Sequence, residues 1–129
     1  MAGAEIREAK ARFVELFNSG DSKGMAEMYT EDCKLCPPNA PIIEGREAIE
    51  KLAEMMIASG LKVEIQPCQD MQTGTDAANE GETLWERGKS KHIKHDKSIS
   101  AVEELTYVAI WKRVNGCLKI YMDIWNADQ

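Results

Sequence analysis

The sequence predicts an α+β fold, a curved antiparallel sheet packed on N-terminal helices around a pocket. Three observations lead there. Through the first sixty positions apolar residues recur at helical spacing, beyond Gly60 they alternate with polar ones, and Asn115-Gly116 joins the last two alternating runs with a strong two-residue hairpin signal. Helices followed by a run of antiparallel strands make a two-layer architecture in which each layer covers the apolar face of the other.

From Glu5 to Asn18 the residues Ile6, Ala9, Phe13, Leu16 and Phe17 form one helical stripe, with Glu5 and Glu8 near the positive end of the helix dipole. The helix stops at Asn18-Ser19-Gly20, where glycine takes the left-handed cap conformation. Asp21 or Ser22 then caps a short second helix through Tyr29, with Met25, Met28 and Tyr29 on its inner face. Thr30-Glu31-Asp32 reads as a turn before a short strand, Cys33 to Cys36. The run Pro37-Pro38-Asn39-Ala40-Pro41 ends that strand, because proline supplies no ladder donor. Ile42-Ile43 forms a second short extended piece. Gly45 opens a long helix with the stripe Ile49, Leu52, Ala53, Met56 and Ile57, which ends at Ser59-Gly60. Strands follow near 61–71, 77–89, 101–113 and 117–125, with Pro67 marking an edge or a bulge in the first of them. The polar stretch from Lys89 to Ser100 is expected to be the least ordered part, forming the tip of a long hairpin.

A chain of 129 residues is long enough to build one hydrophobic core, burying roughly 65–70% of the surface its unfolded form exposes, so one domain over residues 1–129 is expected. At 43% hydrophobic and 29% charged residues the composition is that of a folded protein. A net charge of −6 argues against a nucleic-acid binder, which needs a concentrated positive face. The start of the chain carries no apolar export run, and no segment approaches the roughly 18 apolar residues of a membrane span, so the expected location is the cytoplasm and no membrane partner is expected. The four cysteines, Cys33, Cys36, Cys68 and Cys117, then read as free buried thiols rather than a disulfide framework.

The segments "RFVELFNSGDSKGMAEMYTEDCKL", "EGREAIEKL" and "YVAIWKRVNGCLKIYMDIWN" occur in an order that resembles the SnoaL-like and nuclear transport factor 2-like superfamily. The resemblance spans nearly the whole chain. It implies a cystatin-like cone with a deep pocket between sheet and helices, and a homodimer or higher homo-oligomer formed through the outer face of the sheet. Function varies widely on this fold, from isomerases, cyclases and hydrolases to noncatalytic transport factors and the association domain of a calmodulin-dependent kinase, so the site has to carry the functional reading. In the ketosteroid isomerase branch, which the first helix resembles, a catalytic tyrosine stands where this chain has Phe13. The branch's general-base aspartate falls at Pro37 or Cys36, and its second acidic donor near Ile110. All three groups are missing, so ketosteroid isomerase activity is not expected.

The remaining candidates come from the strands. On the last strand Tyr121, Asp123 and Trp125 share one face and Ile120, Met122 and Ile124 the other, because side chains alternate along a strand. Asp123 is the candidate catalytic residue. The resemblance implies that an acidic residue there points into the cavity, where desolvation suits it to proton transfer. The competing reading puts Asp123 on the outer face or in a dimer contact. Glu86 could meet Asp123 as a second carboxyl, although exposed pairing with Arg87 or a lysine is the plainer reading. Tyr29, Tyr107 and Tyr121 offer hydroxyls to a ligand, and Phe13, Phe17, Met56, Trp111 and Trp125 make a lining suited to a small hydrophobic molecule, or else simply fill the cone. Cys33 and Cys36 have the spacing of a metal or redox pair but lack further ligands. His92 and His95 sit among lysines that repel cations and read as a solvated hairpin. No phosphate loop is present, so no cofactor and no metal are expected.

Overall fold

A computed structural model describes residues 2–76, 81–96 and 99–128, with side chains described for 3–72, 82–94 and 102–128. The chain runs α1 (Ala2–Ser19), α2 (Ser22–Ala26), β1 (Tyr29–Cys36), β2 (Ile43–Glu44), α3 (Arg46–Ala58), β3 (Leu61–Asp76), β4 (Gly81–Asp96), β5 (Ile99–Val114) and β6 (Cys117–Ala127). Among the described residues the strands make one six-stranded sheet in the order β2-β1-β6-β5-β4-β3, and the helices pack on its concave face.

Helix α1 buries Ile6, Lys10, Phe13 and Phe17, residues that recur along one face, against the sheet. It ends where Gly20 adopts φ 86°, so that the Asp21 N–H reaches the Leu16 carbonyl at 2.9 Å and the Gly20 N–H the Phe17 carbonyl at 3.1 Å. That pair of bonds is the Schellman arrangement, and it requires a residue that tolerates positive φ. Asp21 at once caps α2, its Oδ1 accepting from the Gly24 N–H at 2.8 Å. The stripe of α3 buries Ile49 and Ala53.

Several boundaries differ from those the sequence suggests. Helix α2 stops at Ala26 and Tyr29 opens β1, so Thr30, Glu31 and Asp32 belong to a strand rather than a turn. They lie where the pairing slips, Tyr29 facing Ile120 but Lys34 facing Met122. β1 also runs parallel to β6, which makes the sheet mixed, with every other pair antiparallel. A parallel neighbour needs a long connection, and here β2 through β5 intervene. Lys89 to Asp96 is regular strand, pairing with β3 as far as Lys94 and with β5 down to Asp96↔Ile99. The expected stretch is therefore the end of a long β4–β5 hairpin but carries the ladder instead of interrupting it, and Ile99 and Ser100 open β5. The predicted start of β4 at Ala77 and the remainder of the expected tip, Lys97 and Ser98, lie outside the described residues.

Two bulges shape the concave face. Between Gln66↔Lys89 and Asp70↔Arg87, three residues of β3 oppose Gly88 alone, and Cys68 takes φ 60°. On β6, Ile120 pairs with Trp111 and Met122 with Ile110, leaving Tyr121 as the extra residue.

Candidate functional site

The mouth of the cone encloses a cavity of about 80 Å³. Its wall is largely apolar: Phe13 and Phe17 from α1, Met25 from α2, Leu35 from β1, Ile49, Leu52, Ala53 and Met56 from α3, Val63 and Ile65 from β3, Leu105 from β5 and Trp125 from β6. Lys10, Tyr29, Ser90, His92, Tyr107 and Asp123 supply its polar atoms.

Asp123 reaches the cavity because of the β6 bulge. An unbroken strand would put Ile120 and Asp123 on opposite faces, yet Ile120 is fully buried and Asp123 only 7% exposed, both on the concave side. The extra residue resets the alternation between them. Burial, first of all, raises the pKa of the Asp123 carboxyl, and the Glu86 charge pushes the same way; the Lys10 ammonium and the Tyr29 hydroxyl oppose them. Tyr29 is itself held well above the ordinary tyrosine range, by burial first and then by Asp123. Asp123 is thus a carboxyl kept from water, with a hydroxyl beside it and a cation's charge reaching it from across the cavity, an environment suited to proton transfer.

The same bulge sends Tyr121 to the other side of the sheet, where its ring lies under the ammonium groups of Lys112 at 3.8 Å and Lys34 at 5.4 Å from the centroid. Tyr121 therefore does not line the cavity. Trp111 is completely buried and also stands outside the wall. Phe13, Phe17, Tyr29, Met56, Tyr107, Asp123 and Trp125 do surround the cavity.

Glu86 is not an exposed partner of Arg87. It is fully buried, and Arg87 pairs with Asp70 at 2.7 Å. Glu86 Oε2 accepts from the Cys68 backbone N–H at 2.9 Å and the Tyr107 hydroxyl at 3.1 Å, and Oε1 accepts from Trp111 Nε1 at 3.1 Å. The β3 bulge turns the Cys68 N–H inward. Gly88 lets the Tyr107 ring lie across β4: a Cβ there would come within 2.6 Å of Tyr107 Cε2. Burial, and secondarily Glu86, pushes the Cys68 thiol up to about 11, which leaves it unreactive.

His92 is a half-buried residue of β4 on the cavity wall rather than part of a solvated tip; burial lowers its pKa, against the opposing charge of Glu103. The side chain of His95 lies outside the described residues. The four cysteines are free, but of the expected buried thiols only Cys33 is buried, Cys36 and Cys68 being partly so and Cys117 exposed, and among the described residues no cluster of histidine, cysteine or acidic side chains could hold a metal. No helix among them is long and apolar enough to cross a membrane.

Sequence reasoning missed Lys10 and Ser90 as polar cavity residues and placed His92 in solvent; of the three, Lys10 is the charged one buried at the wall. It falls on the stripe Ile6, Lys10, Phe13, Phe17, and its place at the fourth residue after Ile6 and the third before Phe13 was the available signal.

A mixed sheet curved over three helices, with an apolar cavity holding a buried aspartate, defines an α+β cone of the ligand-pocket type. The SnoaL-like domain model matches residues 11–120, and the chain belongs to that family. No curated protein sequence matches it. Among solved structures it is similar to a nuclear transport factor 2-like protein with a cystatin-like fold from Novosphingobium aromaticivorans, at 19% identity and a TM-score of 0.77 over 95% of this chain and 79% of that one. Aln2 from a Streptomyces species matches at 16% identity and a TM-score of 0.79, over 97% and 89% of the two chains. A protein named for the calcium/calmodulin dependent protein kinase II association domain, from Xanthomonas campestris, matches at 17% identity and a TM-score of 0.77, over 96% and 86%. At these identities the likeness establishes the fold alone.

Proposed function

We propose that the cavity binds a small, largely hydrophobic molecule and that Asp123 transfers a proton to or from it, as in a cofactor-independent isomerase, cyclase or hydrolase. The observation that carries this reading is a carboxyl raised in pKa by burial in an otherwise apolar cavity. A cavity of about 80 Å³ is roughly half the ~150 Å³ that accommodates benzene in an engineered apolar cavity. The ligand is therefore compact, or Met25 and Met56 move to admit it, as flexible thioether side chains readily do. Tyr29 and Tyr107 serve as polar anchors at the wall.

The test is a thermal-shift series in which the wild type and Asp123→Asn meet small ketones, alcohols and carboxylic acids, since a ligand that binds only the folded state raises its melting temperature. The proposal predicts that at least one class stabilises the wild type and that the variant, still folded, responds less to it. An equal response in both proteins removes Asp123 from the site, and silence of the wild type towards every class removes the site.

A second reading, an association module without chemistry, draws on the structural likeness to the kinase association domain and on the outer face of the sheet. There Trp85, Val108 and Ile124 are each more than a third exposed, Val108 lies directly across from Ile124, and Trp85 lies across from Ile110. We propose a homodimer through this face under either reading. Native mass spectrometry separates them: a dimer suits the pocket reading, and a closed ring of many subunits the association module, because a ring needs a second, heterologous contact.

A further inference from the structure

Lys10 is buried to 2% exposure in the cavity wall, and proton transfer at Asp123 does not require it. Its Nζ stands 4.4 Å from the ring centroid of Tyr107, 5.0 Å from that of Phe13 and 5.6 Å from that of Trp111. Three aromatic rings attract the positive charge, but they offer no lone pair in the plane an N–H prefers. Among the described residues no oxygen lies within hydrogen-bonding or ion-pairing distance of this ammonium. It carries three donors, and a buried charge without an acceptor is costly to keep.

The neighbouring carboxyls do not fill that role. Glu86 lies behind Tyr107, outside the cavity wall, and its oxygens already accept from Cys68, Tyr107 and Trp111. Asp123 senses the Lys10 charge across the cavity but does not approach it closely enough to pair. The wall therefore presents one cation with open donors, one carboxyl that burial drives towards its neutral form, the polar groups of Tyr29, Ser90, His92 and Tyr107, and apolar surface elsewhere. A neutral ligand would leave the ammonium charge uncompensated, whereas an anion would neutralise it and receive its hydrogen bonds.

Resting on the reading of this cavity as a ligand site, we infer that it selects small apolar monocarboxylates, whose oxygens accept from the Lys10 ammonium while the hydrocarbon part lies against Met56, Ile65 and Trp125. Asp123, in its neutral form, donates a further hydrogen bond to the same carboxylate, and its proton is the one available for transfer.

Isobutyrate and isopropyl methyl ketone have the same shape and differ in charge, so ligand-observed NMR titrations of the two in mildly acidic buffer isolate the contribution of the anion. The wild type should bind isobutyrate about tenfold more tightly than the ketone, the usual worth of a charge-assisted hydrogen bond in a dry site. Lys10→Met should lose that preference while still binding the ketone, which also certifies that it is folded, and Lys10→Arg should keep it. Equal binding of the two probes by the wild type, or a preference for isobutyrate that survives in Lys10→Met, overturns the assignment of Lys10 and leaves the cavity as a site for neutral molecules. A wild type that binds neither probe contradicts the ligand-site reading itself, and the carboxylate inference with it.

Discussion

Glu86 and Asp123 are both buried carboxyls on the concave face of one sheet, yet the regions around them are built for opposite ends. Around Glu86 the structure closes: a bulge turns a backbone N–H towards it, Gly88 makes room for Tyr107, and Trp111 completes a set of three donors on two oxygens. Around Asp123 the structure opens into a cavity, with the Tyr29 hydroxyl and the more distant Lys10 charge set against the cost of desolvation. Burial by itself does not make a reactive acid; the number of donors aimed at the carboxyl decides. The saturated residue supports the fold, and the undersupplied one is the residue to which we assign proton transfer.

Glu86→Ala should give the largest effect. It strands the Cys68 N–H, the Tyr107 hydroxyl and the Trp111 indole N–H in a dry interior, and each unpaired donor costs about 1–3 kcal/mol, so a loss of at least about 3 kcal/mol is expected in urea unfolding. If Glu86→Ala unfolds at the wild-type midpoint, the contrast between the two carboxyls is lost.

Gly88→Ala comes next. The added methyl collides with the Tyr107 ring, and overpacking of this kind costs about 1–3 kcal/mol. Because the ring must move, the hydroxyl should also leave Glu86, and a crystal structure of the variant would reveal that displacement.

Asp123→Asn should act in the opposite direction. The folded state holds the Asp123 proton more tightly than the unfolded chain does, so the wild type loses stability as pH rises from about 4, the unfolded value, through the raised folded value. Below that window both states are protonated and nothing is lost. The asparagine variant lacks this penalty, so it should be the more stable protein near about pH 8 and should lose that advantage as pH falls towards about 4, each unit of raised pKa being worth about 1.4 kcal/mol. Parallel stability curves for the two proteins across that range would count against a desolvated Asp123.

Tyr121→Phe should change least. Its ring lies on the outer face between Lys34 and Lys112, so stability should stay within about 0.5 kcal/mol of wild type and the response to small carboxylates should be unaltered. A weakened ligand response in this variant would return Tyr121 to the cavity and displace the β6 bulge from the account.

Much of the fold is legible in the sequence because its signals are local. The stripe of α1, the glycine and aspartate between α1 and α2, the alternation after Gly60 and the Asn115-Gly116 turn each act through neighbours a few residues away. The inward place of Asp123 was legible through the family resemblance, whereas simple alternation along the strand misplaced Tyr121, because nothing local in Ile120-Tyr121-Met122 announces an extra residue. Glu86 was misread for a similar reason: its donors come from Cys68, Tyr107 and Trp111, distant in the chain, and a glutamate beside Arg87 looks solvated until β3 and β5 close over it. Lys10 interrupts an apolar stripe, and its burial depends on aromatic rings that only the folded sheet brings to it.

Carboxyl carbon NMR reads the proton on Asp123 directly. In protein labelled at the aspartate side-chain carbons, with Asp123→Asn to assign the signal, Asp123 should titrate clearly above the usual aspartate value of about 3.9. A midpoint at or below that value would mean that its neighbours outweigh desolvation, and would contradict its role as the proton-transferring group of this cavity.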